Sequence, residues 1–150
     1  MLEAQPEAHF EKRQDRKVYT GPGEDTWKYS RAQVLTNEKV TVYGTENGWV
    51  LVSYPIGGSG GRIGYITDDL LADRETVQPL RLSRISMQLL TDASPTDDPL
   101  HRKTAITKLK KGDPVTLLAW LGDSWAYVQF TLDGSECRAF VPRKAVMPAE

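Results

Sequence analysis

The chain has 150 residues, of which 19 are Lys or Arg and 20 are Asp or Glu, for a formal charge of −1. That balance excludes a sequence-independent nucleic-acid binder, which needs a basic stripe to displace counterions from phosphate. Cys137 is the single cysteine, so neither an intrachain disulfide nor a thiolate metal cluster can form, and no apolar run reaches the roughly 18 residues of a membrane-spanning helix.

Residues 1–15 are polar and charged, lack an apolar stripe and read as a flexible lead. They have no apolar core of the kind a signal peptide carries. The expectation is a mature or excised region of a longer exported protein. Order is expected from Arg16, with Val18 and Tyr19 opening a first module. Thr20-Gly21-Pro22-Gly23 is a turn, because proline pre-sets φ and glycine permits what other residues avoid. Thr26-Trp27-Lys28-Tyr29 is an irregular aromatic loop and Ala32 to Leu35 a brief strand. Val40 and Val42, then Trp49, Leu51 and Ser53, alternate as two strands joined around Asn47-Gly48, a strong hairpin signal. A glycine-rich turn at 57–61 leads to a short strand, Arg62 to Ile66, and Asp68 to Leu71 is expected as one helical turn.

Residues 72–79 are charged, contain Pro79 and read as a short linker. Leu80, Leu82, Ile85, Met87 and Leu89 alternate at the start of a second module. Leu90 is the expected counterpart of Tyr19, followed by a proline-containing loop over Thr91 to Leu100. Strands are expected at Thr104 to Leu109, Val115 to Trp120, the stretch opened by Trp125, and the short aromatic stretch around Phe140. This order repeats that of the first module: Trp49 stands thirteen residues before Arg62 and Trp125 thirteen before Arg138. A repeat means two copies of one small unit. Short strands with tight turns predict an all-β chain of two small antiparallel barrels, 16–71 and 80–147.

The motifs Tyr19-Thr20-Gly21-Pro22-Gly23, Trp27, Val40-Thr41-Val42, Asn47-Gly48-Trp49 and Gly64-Tyr65-Ile66 resemble, in order and spacing, the bacterial SH3-like domains. The second copy matches through Val115-Thr116-Leu117, Ser124-Trp125 and Ala139-Phe140-Val141, with Asp92-Ala93-Ser94-Pro95 in place of Gly-Pro-Gly. Where the family has Arg-Ser before that turn, this chain has Tyr-Thr. The resemblance implies two SH3-like barrels in tandem within an envelope-associated or secreted bacterial protein. Such modules often sit beside a catalytic domain and bind wall peptide or act as spacers.

Trp49, Trp125, Val42, Leu51 and Phe140 are the expected structural core. The ligand-binding candidates are Tyr19, Trp27, Tyr29, Tyr54 and Tyr65, since aromatics on the loops of a small barrel offer rigid contact area at small entropic cost. They place binding mainly in the first barrel. Val77, Leu80, Ile85 and Trp120 are expected at a seam where the two barrels pack against each other. No enzyme is expected: His9 and His101 have no partner at metal or catalytic spacing, and Asp68-Asp69 and Asp97-Asp98 read as solvated turns. The glycines at 57–61 lack the lysine and helix of a phosphate loop. The function expected is a non-catalytic binding or targeting module for cell-wall peptide or another envelope protein, without cofactor or metal. The alternative is a spacer or protein-interaction module with no small ligand.

Overall fold

The computed structural model describes the chain except residues 7, 9, 11–14, 23–28, 36–39, 56–60, 70, 73, 74, 76, 98, 101–104 and 150, and the side chains of 15 and 29–35. The chain divides into two compact units, 3–80 and 81–150, the latter joined by residues 1 and 2. It is almost entirely β, with one antiparallel five-stranded sheet in each unit.

The first unit contains β1 (Asp15–Tyr19), β2 (Tyr29–Leu35), β3 (Thr41–Glu46), β4 (Trp49–Pro55) and β5 (Gly61–Thr67), in the spatial order β2-β1-β5-β4-β3. Asn47 and Gly48, with φ of 51° and 82°, make the two-residue β3–β4 turn. Positive φ at both positions matches the right-handed twist of the flanking strands, which is why Asn-Gly occupies it. A bulge between Val42 and Gly44 bends β3.

One face of this sheet packs Val18, Val42, Val50, Val52, Tyr54 and Ile66 into an aliphatic core. The opposite face of β4 carries Trp49 and Leu51. Leu51 and its cross-strand partner Tyr65 are buried there, so β4 and β5 are covered on both sides. Trp49, expected in the core, is half-buried at the first position of β4. Gly64 lies under β1: a Cβ there would collide with Val18 Cγ1 and come within 2.9 Å of the Tyr19 carbonyl oxygen.

The N-terminal segment departs from the sequence expectation. Phe10 is 7 % exposed, joins the first core and bridges Leu71. Gln5 lies along β3: its amide donates to the Val42 carbonyl, and its side chain donates to the carbonyls of Tyr43 and Gln78. The Gln78 amide donates back to Gln5 Oε1. An isolated apolar residue in a polar run carries no periodicity, so the segment read as a free lead.

The expected linker also belongs to this unit. Ala72 and Val77 are buried, Val77 within the first core, and Thr45 accepts from the Leu80 amide while donating to Gln78. The expected helical turn at Asp68 to Leu71 is a turn closed by the Leu71 amide on the Asp68 carbonyl.

The second unit contains β6 (Ile85–Leu89), β7 (Pro114–Leu121), β8 (Trp125–Leu132), β9 (Ser135–Pro142), a 3₁₀ turn η1 (Arg143–Ala145) and β10 (Val146–Pro148), in the order β10-β6-β7-β8-β9. Asp133 and Gly134, at φ of 51° and 79°, repeat the two-residue turn between β8 and β9. Its core is Met87, Val115, Leu117, Ala126, Val128, Phe130, Cys137, Ala139 and Val141. A strand expected at Thr104 to Leu109 is reduced, among the described residues, to single bridges at Ala105 and Leu109, while η1 and β10 had no sequence counterpart.

Trp120 lies against this core with the Arg143 guanidinium 4.3 Å from its ring centre. Ile85 opens β6 with its side chain exposed.

Candidate functional site

The three-stranded meanders β3-β4-β5 and β7-β8-β9 correspond by their pairing, while the outer strands extend from β5 in the first sheet and from β7 in the second. Leu51 faces Tyr65 across β4–β5 as Tyr127 faces Phe140 across β8–β9, and Ser53 faces Ile63 as Gln129 faces Arg138. The equal Trp-to-Arg spacing is therefore one residue out of register: Arg138, 3 % exposed, occupies the place of the aliphatic Ile63. Its Nε donates to Gln129 Oε1 at 3.0 Å, and its guanidinium lies 6.0 Å from the Tyr127 ring centre, which itself stacks on Phe140 at 4.8 Å.

At the end of this ladder Gln129 and Thr131 donate to the two oxygens of Glu136 at 3.0 and 2.7 Å. The Thr131 hydroxyl first, then the Gln129 amide, hold the Glu136 pKa below its ordinary 4.5, with slight desolvation opposing them. The folded pKa lies under the unfolded one, so the stabilisation is complete above pH 4.5 and is lost as pH falls through the depressed value. Glu136→Gln is expected to be less stable than the parent at about pH 7, with the gap shrinking by about pH 3 in denaturant melts. A gap of the same size at both pH values would remove this role.

The same comparison shows how the units differ beside their tryptophans. In the first, Tyr19 pairs with Tyr65 and sets its ring edge-on to Trp49, 5.4 Å between centres. In the second, the residue bridging Phe140 is Thr96, so the counterpart of Tyr19 is Thr96 and not Leu90. Where the first unit has an aromatic ring, the second has a threonine.

A cleft of about 360 Å³ lies there, lined by Trp125 and Pro142 from the sheet, Thr91 to Ser94 and Thr96 from the preceding loop, and Lys144 and Ala145 from η1. Its volume falls at the small end of the range for small-ligand sites.

The cleft walls are held by main-chain bonds. Ala93 exchanges both backbone hydrogen bonds with Leu109, at 3.0 and 2.8 Å, and Thr96 exchanges both with Phe140, at 2.9 and 2.8 Å. The Leu90 amide donates to the Ala145 carbonyl and the Arg143 amide to the Ser124 carbonyl, tying η1 to the loop and to the β7–β8 turn. Asp92 Oδ1 accepts from the Lys111 amide at 2.8 Å. A wall fixed at both ends costs little to order when a ligand arrives.

Among the described residues, the aromatic side chains Tyr19, Tyr54 and Tyr65 of the first unit do not form a comparable surface. Tyr65 is fully enclosed, with its hydroxyl donating to Glu46 at 2.8 Å, and Tyr54 is 7 % exposed within the aliphatic core. Both side chains are interior rather than ligand-facing: Tyr65 lies on the covered second face of β4 and β5, and Tyr54 lies in the aliphatic core on the first. Tyr19 is half-buried against Trp49. Tyr29 contributes its backbone to β2, paired with Tyr19. Trp27, the glycines at 57, 58 and 60, His9, His101 and Asp98 lie outside the described residues.

Among the expected core residues, Val42, Leu51 and Phe140 are buried and Trp125 is half-buried, standing at the cleft. Ser94 and Lys144, which also line the cleft with Asp92, are not marked by any motif in the sequence. The available signal was a run of small side chains, Ala93-Ser94, where the first copy has a glycine-proline turn.

Among the described residues no group of three His, Cys, Asp or Glu could hold a metal ion, and no helix is long and apolar enough to cross a membrane. No family model matches the sequence, and no curated protein matches it. Among solved structures the chain is similar to NlpC2 from Trichomonas vaginalis, with 16 % identity and a TM-score of 0.39, covering 99 % of this chain and 49 % of that one. It is also similar to NlpC1 from the same organism, with 17 % identity and a TM-score of 0.40, covering 95 % and 45 %. The chain thus spans about half the length of each. Likeness this remote assigns no function.

Proposed function

We propose that the chain is a non-catalytic binding module of an extracytoplasmic bacterial protein, built as two SH3-like barrels in tandem. It engages a short peptide of the cell wall or of an envelope protein at the Trp125 cleft of the second unit. The observation that supports this reading is the preformed cleft itself. Trp125 and Pro142 line it together with Thr91, Asp92, Ser94, Thr96 and Lys144, and paired backbone bonds pin the loop and strand that carry them. Aromatic anchors in such settings carry most of the binding energy of small interfaces. The first unit, with Tyr19 packed against Trp49, acts as the supporting copy.

Co-sedimentation with purified bacterial cell-wall sacculi tests the proposal. The parent chain is expected to pellet with the wall, and Ser94→Trp, which fills the cleft from an exposed loop position, is expected to stay in the supernatant with an unchanged melting temperature. Equal pelleting of the two proteins, or no pelleting of the parent, overturns the reading.

A further inference from the structure

The correspondence between the units extends to the residues that line the cleft. Tyr19 stands between Tyr29 and Tyr65 as Thr96 stands between Ala105 and Phe140. Three residues earlier, Arg16 pairs with Val34 as Ala93 pairs with Leu109. Trp49 faces Thr67 as Trp125 faces Pro142. Just past those strands the Asp68 amide donates to the Gly48 carbonyl at 3.1 Å, and the Arg143 amide to the Ser124 carbonyl at 2.8 Å, so Asp69 is the counterpart of Lys144.

In the second unit Ala93, Thr96, Trp125, Pro142 and Lys144 line open space. In the first, side chains at the same positions meet one another. The Tyr19 ring stands edge-on to Trp49 with 5.4 Å between centres, and Arg16 Nη2 donates to Asp69 Oδ2 at 2.9 Å.

We infer that the first unit holds a closed copy of the cleft, and that Tyr19 and the Arg16–Asp69 ion pair confine binding to the second unit, so that each chain takes one ligand. This rests on the Trp125 cleft being the binding site. The backbone pairing is shared, so side chains decide which copy is open. The tyrosine ring covers indole surface that a ligand would otherwise take, and it gives up that contact if it swings out. The ion pair joins β1 to the turn after β5. Being partly exposed it adds little stability of its own, and its effect is to fill the opening between the two segments. A methyl at Ala93 and the short side chain of Thr96 can make neither contact, and the space beside Trp125 stays open.

Co-sedimentation with purified sacculi tests this by transplantation. Arg16→Ala, Tyr19→Thr and Asp69→Lys together place second-unit residues in the first unit, on the Ser94→Trp background whose own cleft is blocked. This variant is expected to regain the pelleting that Ser94→Trp alone loses. In the reverse direction, Ala93→Arg with Lys144→Asp rebuilds the ion pair in the second unit, and Thr96→Tyr rebuilds the ring; each is expected to abolish pelleting. Melting temperatures report on folding. A folded transplant that stays in the supernatant overturns the inference, while pelleting of the parent keeps the Trp125 cleft as the site. Should the transplant melt early, the reverse variants decide, and pelleting of both at the parent level overturns the inference. A parent that fails to pellet overturns the inference together with the reading beneath it.

Discussion

Gly64→Ala is expected to destabilise the first unit by about 3 kcal/mol, the upper end of what overpacking a closed interior costs. The glycine lies where β1 crosses closest to β5, and an added methyl would collide with Val18 Cγ1 while standing 2.9 Å from the Tyr19 carbonyl oxygen. Val18 is 1 % exposed and belongs to the aliphatic core, so it has nowhere to retreat. The carbonyl is main chain, and moving it would disturb the pairing of Tyr19 with Tyr65. Val18→Ala removes the colliding methyl, and the double variant is therefore expected to lose less than the sum of the two single losses. Denaturant melts of the four proteins measure this coupling. Gly64→Ala within about 0.5 kcal/mol of the parent, the range of surface substitutions, would show that the strands can part without cost.

Phe10→Ala is expected to cost about 3–5 kcal/mol, as truncation of an enclosed aromatic does. Phe10 is 7 % exposed, packs in the first core and bridges Leu71. Phe10→Leu keeps most of the volume and is expected to recover more than half of the loss. Chemical denaturation reads both. A loss for Phe10→Ala no larger than that of a surface residue would place the segment outside the cooperative unit and restore the flexible lead that its composition suggested.

The hairpins were legible because their turns leave a chemical trace. Asn47-Gly48 and Asp133-Gly134 adopt positive φ at two consecutive positions, which few other residue pairs tolerate. The alternation in β3 and β4 placed Val42 and Leu51 inside. It could not show that β4 and β5 are covered on both faces, because a buried tyrosine such as Tyr65 has the same letter as an exposed one, and its partner Glu46 is nineteen residues away. The cleft beside Trp125 escaped the sequence for a related reason. Aromatic loops suggested a binding surface in the first unit, yet Tyr19 packs on Trp49, whereas Thr96, Ala93 and Ser94 leave space beside Trp125. Vacancy is made by small side chains, and composition draws attention to large ones. Phe10, Gln5 and Val77 escaped because each acts alone, through contacts distant in sequence that no local period reveals.

The outer side of β3 has a consequence for the solution behaviour of the protein. An edge strand with open amides and carbonyls is a template on which a second molecule can continue the sheet. Here Gln5 occupies the carbonyls of Val42 and Tyr43, and the segment from Gln78 to Leu80 occupies both polar groups of Thr45. Gly44 permits that approach, since a side chain there would meet the Gln78 carbonyl at 2.9 Å. The cap is thus assembled from two stretches that composition marks as lead and linker. Their removal would leave the carbonyls of Val42 and Tyr43 and both backbone polar groups of Thr45 without these partners. A fragment of the first unit cut to residues 16–71 would lack both stretches, and it is expected to associate through the edge of β3 where the whole unit does not.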